Sequence, residues 1–306
     1  MDGELELRGH GWIVDRLDTV RSGAGEVLLV SQDTNRSVRV WDPATGAPVA
    51  GPVPAERIAE DLAGLRLGAA DLAVLAGATL VPAAERSPAR LVRVSQKQVR
   101  VTDLTTGRVE SVLAQPPDPP GHIGDQIHAT VGVRLGDGTA GFAAVRWGSD
   151  VEVWSPGRRK WRKRALTSRA GGPLAAMDGT HVAVVVPRKV EVYDAATGEL
   201  VAGVRLDGRV NALAAVPLAR RTLLAVAFDG PPDAVVQLLD PYAGRRQREP
   251  LTRHGPAFGG TSPGLATVLA VTSVPGPGGT VRIASGGNDG MVRLSAPLGT
   301  ARPPPR

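Results

Sequence analysis

A nine-residue pattern that recurs along the chain constrains the fold more than any other feature. Each copy alternates apolar and polar residues and then reaches a turn of the Asp-x-x-Thr-Gly type or a degenerate form of it. Five copies occupy Val38–Gly46, Val99–Gly107, Val151–Arg159, Val190–Gly198 and Val236–Gly244, and a weaker sixth occupies Val292–Thr300. Alternation predicts strands with one buried and one wet face, as for Glu191 between Val190 and Val192. The Asp and Gly predict a tight hairpin after each strand.

Other short apolar runs precede every copy, which gives three or four strands per repeat. Repeats of about 40 to 60 residues predict the four-stranded blades of a β-propeller. We therefore predict an all-β fold, a single propeller of six blades, with seven as the alternative. Amphipathic helices do not alternate with the strands, which argues against α/β barrels and Rossmann folds. Ile58, Leu62 and Leu65 have helical spacing and predict a short helix within Ala55–Leu67.

The repeats also predict the domain boundaries and the closure of the propeller. The units fall at about 10–54, 63–115, 122–167, 170–206, 208–253 and 260–296, with a further strand at 4–8. Together they form one propeller over 1–300, followed by a Pro-rich tail at 301–306. The last unit stops after its third strand, whereas Glu4–Arg8 alternates but belongs to no unit. We therefore expect the N-terminal strand to complete the last blade and to remove open sheet edges.

Trp41-Asp42 is a Trp-Asp pair at the end of the first repeat, Gly9-His10 is a Gly-His pair before the first unit, and His254-Gly255 is a reversed version of that pair. With these pairs, the repeats resemble the WD-repeat β-propeller family, in a degenerate form of bacterial type. The resemblance implies that His, Ser or Thr, Asp and Trp are bonded within a blade. The residues with such implied structural roles are His10, Trp41, Asp42, Asp103, His122, Trp154, Asp194, Asp240, His254 and Asp289. In the first unit, Asn35 occupies the position of Asp289.

Motifs for catalysis or for cofactors are weak. The chain has no cysteine, which excludes disulfides, thiol catalysis and cysteine-ligated metal sites. Gly260–Gly264 matches a nucleophile elbow around Ser262, but Pro263 lacks the amide that an oxyanion hole needs. His122, Asp125 and His128 could supply metal ligands, although a structural role is favoured. We expect no catalytic, cofactor-binding or metal-binding residues.

The excess of basic residues suggests a binding surface. The formal net charge is +6, and many basic residues fall in predicted turns that would emerge on one face of the blades. The candidates are Arg158, Arg159, Lys160, Arg162, Lys163, Arg220, Arg221, Arg245, Arg246 and Arg248. They could bind an acidic protein or a nucleic acid backbone. Trp161 alone is interleaved with them, so base stacking would be limited. The alternative is that these are solvated turns in an Arg-rich chain.

The function expected from the sequence is that of a non-catalytic scaffold for protein–protein interaction. An enzyme or small-ligand-binding propeller that uses the central channel, quinoprotein-like or hydrolase, is the alternative. The Asp-x-x-Thr-Gly turns also resemble those of pyrroloquinoline quinone dehydrogenases, but the Trp that usually follows the Gly is missing at Glu199–Arg205. The N-terminus lacks an apolar signal, and no run of 18 apolar residues occurs. We therefore expect a cytoplasmic monomer of bacterial type that does not bind membranes.

Overall fold

Six antiparallel sheets, each with four strand positions, follow one another along the chain. They confirm the predicted fold class, an all-β, six-bladed β-propeller. The computed structural model describes residues 3–75, 78–95, 98–114, 127–146, 150–156, 161–167, 172–229, 233–247, 249–256 and 266–300. The predicted tail at 301–306 lies outside these ranges.

The first strand of the chain, β1 (Leu5–Leu7), belongs to the last sheet, and the first two sheets follow it. The first sheet contains β2 (Val14–Arg21), β3 (Val27–Asp33), β4 (Ser37–Trp41) and β5 (Pro48–Pro54). The second sheet contains β6 (Thr79–Val81), β7 (Arg90–Ser95), β8 (Gln98–Asp103) and β9 (Val109–Ala114). In both sheets the strands pair in chain order, as expected of successive hairpins.

The third and fourth sheets have the same up-and-down order. The third contains β10 (Ile127–Arg134), β11 (Ala140–Arg146), β12 (Val151–Ser155) and β13 (Arg162–Thr167). The fourth contains β14 (Leu174–Met177), β15 (His181–Val186), β16 (Lys189–Asp194) and β17 (Leu200–Arg205).

The fifth and sixth sheets depart from this order in their outer strands. The fifth contains β18 (Val210–Pro217), β19 (Thr222–Phe228), β20 (Ala234–Asp240), β21 (Arg245–Arg246) and β22 (Thr252–His254). Both β21 and β22 pair with β20, at opposite ends, so they divide the outer position between them. The sixth contains β23 (Val268–Pro275), β24 (Val281–Gly287), β25 (Val292–Leu294) and then β1.

The pairing of β1 with β25 confirms that the N-terminal strand completes the last blade. Leu5 lies opposite Leu294 and Leu7 lies opposite Val292. Leu7 is 1% exposed and belongs to a buried cluster that includes Trp41 of the first sheet. The chain ends are therefore joined both by backbone pairing and by burial of apolar side chains.

A helical connection follows the first sheet, as the spacing of Ile58, Leu62 and Leu65 predicts. It contains two 3-10 turns, Ala55–Arg57 and Ala63–Leu65, and two helices, α1 (Ile58–Asp61) and α2 (Ala69–Leu75). Ile58 and Leu62 are buried with apolar residues of β2 to β5. The second helix, α2, has no counterpart in the sequence prediction.

The chain divides into two compact units of three sheets each. Met1–Ala76 and Asp207–Arg306 form unit 1, which holds the first, fifth and sixth sheets, and Gly77–Leu206 forms unit 2. Within each unit, apolar side chains fill the space between neighbouring sheets. Strands inside these stacks are buried on both faces, and β19 is buried at all seven positions.

Burial of both faces makes the predicted wet face of β16 wrong. Glu191 is 8% exposed, and its carboxylate accepts hydrogen bonds from Lys189 Nζ at 2.8 Å and from the Tyr193 hydroxyl at 2.7 Å. Burial and this bond to Glu191 raise the pKa of Tyr193 to about 12. The polar residues of the alternating pattern thus serve as paired interior groups here, because a neighbouring sheet covers them.

Candidate functional site

Aspartates hold the turns that follow the third strands of four blades. Asp194 Oδ1 accepts hydrogen bonds from the backbone N–H groups of Ala196 at 2.8 Å and Thr197 at 2.7 Å. Gly198 then takes a φ of 79°, which favours glycine. Asp42, Asp103 and Asp240 also accept downstream backbone N–H groups. Backbone hydrogen bonds hold the pKa of Asp103 and of Asp194 below the usual range. These residues have the structural role that the sequence implies.

Replacement of Asp194 tests this role. Asp194→Ala removes both turn hydrogen bonds, and we expect it to lower the free energy of unfolding by about 1–2 kcal/mol. Asp194→Asn keeps the Oδ1 acceptor and should lose less. The measurement is urea unfolding at pH 7, where the Asp194 carboxylate is ionised, and equal stability of all three proteins would contradict the assignment.

His10 lies in a buried hydrogen-bond network within the first sheet. Its Nδ1 is 3.0 Å from Asp33 Oδ2, and its Nε2 is 2.7 Å from Ser31 Oγ. Trp41 Nε1 donates to the same Ser31 Oγ at 2.8 Å. The network therefore links the loop before β2 to β3 and β4. We name these four residues the His10 network.

Hydrogen-bond chemistry and the pKa of His10 together assign the protons of the His10 network. An indole N–H only donates and a carboxylate only accepts, so Ser31 Oγ accepts from Trp41 and the His10 Nδ1–H donates to Asp33. In a neutral ring, Nε2 then accepts the hydroxyl proton of Ser31. Burial, opposed by the Asp33 carboxylate, lowers the pKa of His10 below 6.5, which agrees with a neutral ring.

The carboxylate of the His10 network comes from Asp33, which the sequence prediction missed. Asn35 occupies the position expected from Asp289, but Asn35 contributes its backbone N–H, which donates to Asp33 Oδ1 at 3.1 Å. The Ser37 backbone N–H donates to the same oxygen at 3.0 Å. The hairpin therefore curls around Asp33, two residues nearer to β3, and directs that carboxylate to His10.

His254 forms a second buried network, between the fifth and sixth sheets within unit 1. Its Nδ1 is 2.9 Å from Asp289 Oδ1, and its Nε2 is 2.9 Å from Ser285 Oγ. Thr252 Oγ1, 2.8 Å from Ser285 Oγ, takes the place that Trp41 has in the His10 network. Arg293 Nη1 also donates to Asp289 Oδ2 at 2.6 Å. The bonds and charges of His254 and Arg293 outweigh burial and lower the pKa of Asp289.

Trp154 and His122 are the remaining residues for which the resemblance implies a structural role. Trp154 is buried on β12, where its ring stacks on Phe142 with ring centres 6.1 Å apart. Unlike that of Trp41, its indole N–H has no hydrogen-bond partner among the described residues. His122 lies outside the described residues, as do Asp125 and the Gly260–Gly264 motif.

Six of the ten candidate basic residues lie in the described part of the chain. Three of them are neutralised locally: Lys163 pairs with Glu152 at 2.8 Å, Arg221 with Asp240 at 3.1 Å, and Arg246 lies 4.0 Å from Asp207. Arg162, Arg220 and Arg245 are exposed and have no ion pair within the described ranges. Arg158, Arg159, Lys160 and Arg248 lie outside those ranges.

Trp161, the aromatic residue expected among the basic residues, is buried instead of exposed. It is 8% exposed, its ring centre lies 5.4 Å from that of Phe142, and the Arg90 guanidinium lies 5.6 Å from its ring centre. A ring enclosed in this way offers no open face on which a base could stack.

The described residues contain neither a metal-binding cluster nor a membrane-spanning helix. Among these residues, no group of three or more His, Asp or Glu side chains could hold a metal ion. With seven residues, α2 is the longest helix described, and no helix of this part of the chain has the length and apolarity to cross a membrane.

No model of a known protein family matches the chain, and no curated protein matches it either.

Proposed function

We propose that the chain is a non-catalytic, WD-repeat-like interaction platform that binds an acidic protein partner in a bacterial-type cytoplasm. The observation that supports this proposal is the set of unpaired guanidinium groups of Arg162, Arg220 and Arg245. Each lies at or beside a turn, at the start of β13, between β18 and β19, and at the start of β21. Guanidinium groups bind carboxylates in a bidentate manner.

The burial of Trp161 favours a protein over a nucleic acid as the partner. Single-stranded nucleic acids bind through charge together with aromatic stacking platforms. An acidic protein needs no aromatic stacking platform, and the three unpaired arginines supply charge that is complementary to it.

The proposal is tested with polyglutamate as a model acidic chain and with double-stranded DNA as the competing polyanion. We expect the triple variant Arg162→Gln, Arg220→Gln, Arg245→Gln to bind polyglutamate about 10-fold more weakly than the parent at low salt. The matched control is Arg93→Gln, Arg205→Gln, Arg209→Gln. These three arginines are also exposed and lack ion pairs in the described structure, but they lie away from the turns that hold Arg162, Arg220 and Arg245.

The outcome with the control decides between specific and diffuse attraction. The control variant should lose about 2-fold or less, because general screening of net charge is its main effect. An equal loss in both triple variants would show that only net charge matters and would overturn the proposal. Tighter binding of DNA than of polyglutamate would also overturn it.

A further inference from the structure

A cavity of about 470 Å³ opens between the third and fourth sheets, within unit 2. Its walls come from the turn between β10 and β11, the ends of β12 and β13, and the turn after β16. Leu135, Val153 and Ala195 form an apolar part, whereas Ser155, Arg162 and Arg164 form a polar, cationic part. This volume falls in the range of about 300–1,000 Å³ that is typical of ligand sites.

The strand register shows which cations face the cavity. Arg162 lies directly opposite Ser155, and Arg164 lies directly opposite Val153. Directly opposed residues of antiparallel strands point to the same face, so both arginines share the face of the cavity-lining residues. Lys163 also lines the cavity, but its Nζ binds Glu152 at 2.8 Å and lies 6.0 Å from the Trp154 ring centre. Of the three cations that line the cavity, the two arginines are thus the ones without an ion pair within the described ranges.

The two arginines are engaged to different extents. Arg164 Nη1 donates to the backbone oxygen of Ala196, which holds the side chain across the cavity. The Arg162 side chain has neither a hydrogen bond nor an ion pair within the described ranges and is exposed. An incoming carboxylate could thus bind the Arg162 guanidinium without displacing an existing partner.

The opposite wall limits how much negative charge the cavity accepts. Asp137 lies there, and its Oδ1 accepts hydrogen bonds from the backbone N–H of Thr139 at 3.0 Å and from its hydroxyl at 2.5 Å. These bonds lower the pKa of Asp137, so this carboxylate is charged at neutral pH. A multiply charged phosphate is disfavoured beside it, while a single carboxylate placed at Arg162 is not.

We propose that this cavity binds a short acidic segment of the partner protein, with an apolar side chain in the Leu135, Val153 and Ala195 part and a neighbouring carboxylate on Arg162. The inference rests on the proposed function, because it takes an acidic protein as the partner. It adds that binding requires an apolar residue next to the acidic one. A purely electrostatic surface has no such requirement.

The test uses a blocked, fluorescent peptide of sequence Ser-Gly-Glu-Leu-Glu-Gly-Ser and two matched peptides. One has Ser in place of Leu, and the other has Gln in place of both Glu residues. We expect each matched peptide to bind about 10-fold more weakly than the first. The Ser peptide lacks the apolar side chain, and the Gln peptide lacks the carboxylates. Equal binding of the Leu and Ser peptides would overturn the inference.

Two variants locate the binding at the cavity. Arg162→Gln changes an exposed side chain and should weaken the Leu peptide about 10-fold. Ala196→Leu fills the cavity but keeps its charges, and it should have a similar effect; circular dichroism checks its fold. The control Arg205→Gln, at the end of β17, should bind like the parent. Unchanged binding in Arg162→Gln overturns the inference even without the second variant.

Further binding measurements distinguish a failure of this inference from a failure of the proposed function. One outcome is that the triple variant of Arg162, Arg220 and Arg245 loses polyglutamate binding while the Leu and Ser peptides bind equally well. In that case the proposed function is supported and the cavity assignment is wrong. If polyglutamate binding does not depend on the turn arginines, the platform itself fails. Displacement of the Leu peptide by inorganic phosphate at lower concentrations than by unlabelled peptide would identify a simple anion site and overturn the peptide assignment.

Discussion

A chain that lacks residues 1–8 should melt about 10 °C or more below the full chain. The deletion removes β1, the fourth strand of the last blade, and with it the buried side chain of Leu7. Replacement of a buried leucine by alanine alone costs about 2–5 kcal/mol. The deletion also uncovers the edge of β25 and takes Glu6 away from Arg293, whose Nη2 lies 3.3 Å from Glu6 Oε1.

The experiment is a thermal melt followed by circular dichroism, with three comparisons. Leu7→Ala should account for part of the loss, whereas Arg8→Ala, an exposed change, should melt like the parent. A synthetic peptide of residues 3–8, added in excess to the truncated protein, should raise its melting temperature by mass action. A truncated protein that melts like the full chain would show that β1 contributes little to closure.

Replacement of His10 should cost about 3 kcal/mol of unfolding free energy at pH 7. His10→Ala leaves a cavity and removes one hydrogen-bond partner of Ser31 and one of Asp33, which are 0% and 2% exposed. A buried carboxylate without its donor is costly, although Asp33 keeps the backbone N–H groups of Asn35 and Ser37. Ser31→Ala should cost less, because it removes a hydroxyl and leaves the His10 bond to Asp33.

The same substitution should flatten the dependence of stability on pH. Burial lowers the pKa of folded His10, with Asp33 opposing this shift and Arg39 adding to it. The unfolded chain therefore binds a proton at His10 near pH 6.5, whereas the folded chain binds it only at a lower pH. The contribution of His10 is complete above pH 6.5 and is lost as the pH falls from 6.5 through the folded pKa.

Unfolding free energies measured between about pH 5 and pH 7 check this sign. The parent should lose stability as the pH falls over this interval, and His10→Ala should lose less. His181→Ala is the control, since His181 lies outside the His10 network, on β15. A steeper pH dependence in His10→Ala than in the parent would show that folded His10 is protonated.

The blades and their turns could be predicted because they depend on local sequence. Alternation sets the strands, and Asp194 with Gly198 closes a hairpin through contacts within five residues. The burial of Glu191 could not be predicted in this way, because it depends on a neighbouring sheet that covers it. The same applies to α2, whose short apolar run acquires its helical form by packing against β2.

The candidate sites could be predicted only in part, because they also depend on contacts that local sequence does not determine. The resemblance pointed to His10 and His254, but the choice between Asp33 and Asn35 depends on how one hairpin curls. Likewise, the basic run before and within β13 is visible in the sequence, whereas its division into Arg162, which shares a face with Ser155, and Lys163, which pairs with Glu152, depends on strand register. The cavity itself joins Leu135 to Ala196, segments that no local pattern connects.

The place of β1 in the last blade has a consequence for the order of folding during synthesis. Leu7 pairs with Val292, about 285 residues later, which takes about 15–60 s to translate at about 5–20 residues per second. Unit 2 is continuous in sequence and can fold during this time, whereas unit 1 must wait for its last strand. Until then β1 is an unpaired strand, and Glu4, Glu6 and Arg8, which alternate with its leucines, keep that nascent segment hydrated and less prone to aggregate.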